Sequence, residues 1–244
     1  FKGLLDEYVQ DERIRAILCD RCAFMGLPPS KVSAIGMSAM IITYGMNGGY
    51  RVKGLTQRFP DALAGSIKNN GGNIIYNTTV DKIIIEGNRA AGVVTGDGRV
   101  FRAKKIVSNI SAKKTFFELA GKENLKDEFI DKIEKMLPSL SFFLVYLGVD
   151  MDLKKLGLEH SIGTYPSFDI EKTFSDINKD ICSPNASFET IIYTLTNPDM
   201  APKNCHSLIL MTKAGYEYKE SWKECKDKEA ERLIKMAERI IPNL

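Results

Sequence analysis

The chain has 244 residues, 44% hydrophobic and 27% charged, an ordinary globular composition that excludes an intrinsically disordered protein. Its 34 basic and 31 acidic residues are interspersed and leave a net charge of +3, so no basic stripe marks a nucleic-acid partner. Cys19, Cys22, Cys182, Cys205 and Cys225 are an odd set without a short-spaced framework, which points to a reducing cytoplasm rather than a secreted disulfide scaffold.

No apolar run approaches the roughly 20 residues of a spanning helix, and no charged-then-apolar leader follows Phe1. The chain opens without Met and stops as a helical pattern ends. It is therefore expected to be an internal piece of a longer protein.

Along the chain, Leu4, Leu5, Tyr8, Ile14, Ile17, Leu18 and Cys22 recur at helical spacing, with a break near Asp11. Gly26 then stops the pattern, Ser30 is the expected N-cap, and an apolar, methionine-rich helix runs to a stop at Gly45. Thr56 can cap a further helix whose Phe59, Leu63 and Ile67 share a face, with Pro60 in its first turn, where a missing N–H costs least. The helix ends at "NNGG", and "NIIYNTTV" reads as a buried strand. Three short strands follow, Lys82–Ile85, Ala91–Thr95 and Arg99–Ala103, separated by the turn sequences "EGNR" and "GDGR". "KKIVSNI" reads as another buried strand.

Helices are expected near residues 113–120 and 124–136. "SLSFFLVYLGVD" carries the strongest strand signal and is apolar on both faces, so it should lie centrally in a sheet. "FETIIYTLT" and "HSLILMTKA" are two more strands, and "DKEAERLIKMAERII" is a closing helix.

The sequence offers little chemistry of its own. Cys19 and Cys22 form a single CxxC with no second pair to complete a zinc site, so both are read as buried helix residues and no metal is expected. His160 and His206 lie in no nucleophile or metal pattern, and no catalytic side chain stands out. Met37, Met40 and Met46 are first of all core fillers; the competing reading is that Met37, Met40 and Ile41 line a pocket for a flexible apolar ligand or face a membrane surface. On the strand signal, Phe142, Leu144 and Tyr146 share one face, which the Met37 helix is expected to cover, leaving an apolar groove.

The run from Tyr50 to Ile110, with its Tyr, Gly54, "PDAL", "GG", a Val opening a meander and "SN", resembles the internal segment of flavin-dependent oxidoreductases of the phytoene desaturase and carotenoid isomerase group. "PSLSFFLVYLGVDMDL" and "TNPDMAPKNCHSLILMTKA" extend the likeness. Gly54 matches the first of the family's two glycines, whereas Leu55 stands where the second is usual.

The resemblance implies an α+β fold. A mixed β-sheet substrate domain, covered by helices, would comprise residues 1–53 and 113–244, and residues 54–112 would be a helix-strand-meander-strand piece of a Rossmann-like FAD domain. It implies FAD as the parent's cofactor, with Val80 offering backbone atoms to the adenine edge and Gly54 lying near the flavin. It implies a long apolar, isoprenoid substrate over Met37, Met40, Ile41, Phe142, Leu144 and Tyr146, and peripheral membrane contact as a further partner. Neither GxGxxG nor GxxxxGK[ST] occurs in the chain, so the phosphate grip is expected elsewhere and this piece should hold FAD weakly or not at all. Two alternatives stay open: an amine or amino-acid oxidase of the same superfamily, and a non-catalytic lipid-binding or membrane-docking module.

Overall fold

A computed structural model describes residues 1–136 and 139–244. The chain divides into two compact units, one of Phe1–Thr56 with Pro138–Leu244 and one of Gln57–Leu137.

The larger unit opens with three helices: α1 (Lys2–Tyr8), α2 (Glu12–Cys19) and α3 (Ala34–Asn47). Asp11 separates the first two by accepting a hydrogen bond from the Arg13 amide at 2.8 Å, the N-cap that an acidic residue supplies well. Ser33, not Ser30, caps α3, its hydroxyl accepting from the Gly36 amide at 3.3 Å. The helix also runs through Gly45 and stops at Gly48, whose φ of 75° only glycine adopts freely. Phe1, Leu5, Cys19, Cys22, Val32, Met37 and Ile170 form the core of this helical layer.

The remainder of the unit is a four-stranded sheet in the order β4-β7-β6-β5, made of β4 (Ser141–Val149), β5 (Ser161–Thr164), β6 (Phe188–Ile191) and β7 (His206–Ala214). Every pairing in it is antiparallel, which corrects the mixed sheet expected. Strands β5 to β7 form a meander, and β4 joins its β7 edge over nine register pairs from Ser141↔Ala214 to Val149↔His206. That makes β4 an edge strand and corrects the central place expected of it: residues apolar on both faces report the need for cover on two sides, not for two neighbouring strands. β5 falls in a stretch the sequence reads as irregular, because four residues are too few for an alternation to register.

The long helix α6 (Trp222–Ala237) closes one face of this sheet. Leu233, Ala237 and Ile241 pack with Phe188, Leu208 and Leu210, while Phe143, Val145 and Leu147 border them. The buried Glu229 carboxylate on α6 is paired with Arg232 at 2.8 Å and Lys219 at 3.7 Å. Arg232 also reaches Asp180 at 2.9 Å, which ties the helix to the preceding loop.

The smaller unit contains α4 (Arg58–Asn69), the meander β1 (Val80–Glu86), β2 (Arg89–Thr95) and β3 (Val100–Arg102), a π-helix at Lys114–Leu119, and α5 (Asp127–Glu134). Its small core joins Ile83 to Leu119 and Ala120, with Val80, Ile85, Val93 and Ile106 around them. Those contacts place residues 113–136 with the meander, whereas the sequence assigns them to the larger domain.

Three expectations for this unit differ from what is found. α4 buries none of its residues, so Phe59, Leu63 and Ile67 form an uncovered stripe instead of packing on the strands. "NIIYNTTV" and "KKIVSNI" form no regular element and, apart from Val80, pair with no strand of the described residues. A strand is defined by a neighbour's hydrogen bonds, and an apolar run without that neighbour stays bare, as Val107 does at 94% exposure.

Candidate substrate face of the four-stranded sheet

In an antiparallel ladder, directly opposed residues point to the same side. The register therefore gives the face opposite α6 as two rows: Leu144, Met211, Glu189 and Gly163, then Tyr146, Ile209, Ile191 and Ser161. Phe142 and Lys213 begin a third row at one end. This face is largely apolar and open, with Phe142 at 37%, Leu144 at 38% and Tyr146 at 72% exposure. A sheet face this apolar is normally covered, which makes it the candidate binding surface of this unit.

The groove expected between this face and the Met37 helix does not involve Met37 itself. Met37 is fully buried in the helical core, and Met40 and Ile41 are half-buried against that same core. The residues of the helical layer that do reach the sheet are Asp20, Arg21 and Ala23, just beyond α2. Asp20 and Arg21, with Ala16 and Ile17 of α2, Phe168 and strands β5 and β6, line an open cavity of about 370 Å³, of a size suited to a small ligand.

Tyr165, Glu189, Asp20 and Arg21 line that cavity. The Tyr165 hydroxyl donates to Asp20, and burial together with that carboxylate pushes the phenol well above its usual range. Asp20 also pairs with Arg21 at 3.2 Å. Glu189 is raised above the ordinary carboxylate range by burial and by the nearby charge of Asp20, and among the described residues it has no hydrogen-bonding or salt-bridge partner. Gly163, opposite Glu189, leaves the room that the Tyr165 ring occupies: a Cβ there would lie 3.1 Å from the ring.

Lys213 is buried at the edge of the same cluster, donating to Ser187 and lying 5.0 Å from the Phe174 ring centre and 5.5 Å from that of Tyr165. Burial pushes its ammonium down to about 8, against the opposing pull of Glu189 and Asp20.

The histidines are structural. The Nδ1 of His160 lies 3.2 Å from the Ile192 carbonyl and its Nε2 lies 2.5 Å from Arg51, so a neutral ring donates at Nδ1 and accepts at Nε2. Burial and the Arg51 charge lower its pKa, in keeping with that state. The Nδ1 of the buried His206 is 2.7 Å from the Thr194 hydroxyl. Cys19 and Cys22 are free, buried thiols in the helical core, and no group of three metal-ligating side chains occurs among the described residues.

Sequence reasoning singled out Phe142, Leu144 and Tyr146, which share the open face, and did not single out Glu189, Lys213, Tyr165 and Asp20. A charge inside each of the apolar strands "FETI" and "LILMTKA" was the available signal.

Toward a flavin, the chain offers backbone only. Val80 opens β1 paired with Thr95 in the smaller unit, and Gly54, at φ 85°, belongs to the larger one. With no glycine-rich phosphate loop in the 244 residues, these positions do not by themselves make a site for a dinucleotide diphosphate.

Sheet, helices and the family's sequence pattern agree with a flavoenzyme fold, and residues 15–235 match the family described as flavin containing amine oxidoreductase. The chain belongs to that family. Among its relatives, it is 28% identical to a 4,4'-diapophytoene desaturase (4,4'-diapolycopene-forming) of a Methylomonas species over 60% of this chain and 28% of that protein. It is 26% identical to the chloroplastic prolycopene isomerase of Arabidopsis thaliana over 98% of this chain and 38% of the relative. With the zeta-carotene-forming phytoene desaturase of Myxococcus xanthus it shares 24% identity over 98% of this chain and 46% of the relative. This chain thus spans less than half the length of these relatives. An oxidoreductase from Methanosarcina mazei has the same fold, with a TM-score of 0.70 at 22% identity over 99% of this chain and 52% of that one.

Proposed function

We propose that this chain is the substrate-binding part, with a portion of the flavin domain, of an FAD-dependent oxidoreductase that desaturates or isomerises a long isoprenoid chain. The observation that carries it is the open apolar face of Phe142, Leu144, Tyr146, Ile209 and Met211, on a sheet whose opposite face is already closed by α6. The relatives' desaturase and isomerase activities support the same reading. In the whole protein FAD would supply a two-electron acceptor for hydride. The residues of this chain would bind the hydrocarbon, hold it extended and keep water away from it. Val80 and Gly54 are proposed as its backbone contribution to the flavin site. Met40 and Ile41 are kept as proposed pocket residues at the edge of the helical layer, and Met37 as the buried support behind them.

The test is binding of a twenty-carbon hydrocarbon polyene to the purified chain, followed by the polyene's fluorescence. The wild type should bind it, and Leu144→Arg should abolish binding while leaving far-UV circular dichroism and the melting temperature unchanged. Binding that survives Leu144→Arg removes the open face as the substrate surface.

A further inference from the structure

The open face is not apolar throughout. Its row Leu144, Met211, Glu189, Gly163 passes within two strands from exposed hydrocarbon to a carboxyl group. That carboxyl stands at the floor of the 370 Å³ cavity between the sheet and the chain just beyond α2. The cavity holds both kinds of hydrogen-bonding partner. Asp20 and Glu189 offer carboxylate oxygens and Arg21 carries donors, while the Tyr165 hydroxyl gives its one proton to Asp20 and keeps an oxygen that can accept. The charges of Asp20 and Arg21 already offset each other at 3.2 Å, and Asp11 engages the Arg13 at the rim at 2.6 Å. The Glu189 carboxyl makes no hydrogen bond or ion pair among the described residues, and the nearby charges of Arg21 and Lys213 offset its burial only in part. A half-buried carboxyl beside Met211 and Ile191 is an expensive group to keep unless something hydrogen-bonds to it. A wholly hydrocarbon ligand lying across this row would bury Glu189 further with nothing in exchange.

We infer that the face takes an amphipathic isoprenoid, with the hydrocarbon over Leu144, Met211 and Ile209 and a hydroxyl end in the cavity against Glu189. The inference rests on the isoprenoid reading above and adds to it the oxygen function. A hydroxyl suits the site because it donates and accepts at once, and because it carries no charge to disturb the Asp20–Arg21 pair. Glu189 is then the residue that sets the ligand's register along the sheet. Gly163 keeps the cavity open by letting the Tyr165 ring lie beside the strand.

The experiment compares two twenty-carbon polyenes on the 244-residue chain: retinol, and the hydrocarbon in which hydrogen replaces its hydroxyl. Retinol should bind about tenfold more tightly, the amount one well-made hydrogen bond to a buried group contributes. In Glu189→Leu that preference should vanish, the two affinities converging on the hydrocarbon's, while Glu189→Gln keeps part of it. Equal affinity of the wild type for both polyenes overturns the inference and leaves the apolar face standing, whether or not the Leu variant folds. A preference that survives intact in a folded Glu189→Leu chain also overturns it. If neither polyene binds, the isoprenoid reading itself fails.

Discussion

The two faces of the four-stranded sheet are built from alternate residues of the same strands, yet they have opposite fates. Phe143, Val145 and Leu147 lie under α6 among fully buried side chains, whereas Phe142, Leu144 and Tyr146, one residue away in each case, look outward. Strand propensity is the same for both sets, since apolar and aromatic residues suit either face. What separates them is the cover: one face has a sixteen-residue helix seated on it, and the other has only a charged cavity at one end. Stability therefore resides on the side of the sheet that α6 covers, and the other side is free for the recognition proposed above.

The largest expected effect tests the closed face. Leu233→Ala, at a fully buried site between α6 and the sheet, should cost about 2–5 kcal/mol by urea unfolding, because the cavity it leaves cannot collapse against packed strands. A loss below about 1 kcal/mol would mean that α6 is not the clamp described.

Lys213 tests the charged end. Its folded pKa of about 8 lies below the ordinary 10.5, so between those values the unfolded chain binds more protons and native stability rises with pH. Below pH 8 the buried ammonium is charged in both states and its full desolvation cost is felt. Lys213→Met should accordingly be the more stable protein at pH 7, by at most on the order of 3 kcal/mol, with the wild type gaining on it from pH 8 to 10.5. A difference that does not change over that window would show that the rings of Phe174 and Tyr165 and the Ser187 hydroxyl fully compensate the burial.

The smallest effect is expected on the open face. Leu144→Ala should change unfolding free energy by less than about 1 kcal/mol, since the side chain is already 38% exposed. A cost equal to that of Leu233→Ala would erase the contrast between the faces.

Much of the fold was legible in the residues. The alternation of "SFFLVYLGV" gave β4 its length but not its place, since β4 lies at the sheet's edge and β7 and β6 are central; the turns "EGNR" and "GDGR" gave the meander, and Asp11 marked the break between α1 and α2. Periodicity reports which side chains want cover, but not what supplies it. Hence the apolar helix α3 was assigned to the sheet, although its Met37 is buried among α1, α2 and their loops. "NIIYNTTV" was read as a strand for the same reason: its residues suit a sheet, and only coordinates show whether a neighbour is there. Of the candidate site, the apolar residues were visible and the polar ones were not. Glu189, Lys213, Tyr165 and Asp20 come from four separate stretches of chain: the pairing of β5, β6 and β7 gathers the first three, and the Tyr165 hydroxyl bond joins Asp20 to them.

The two bare segments flanking the meander, around Ile75 and around Val107, have a colloidal consequence. Each carries exposed β-favouring side chains, Ile75 and Tyr76 in one and Val107 in the other, outside any strand ladder, the combination that favours pairing with a strand from another molecule. Self-association of this chain should therefore start in the smaller unit rather than at the open face of the four-stranded sheet.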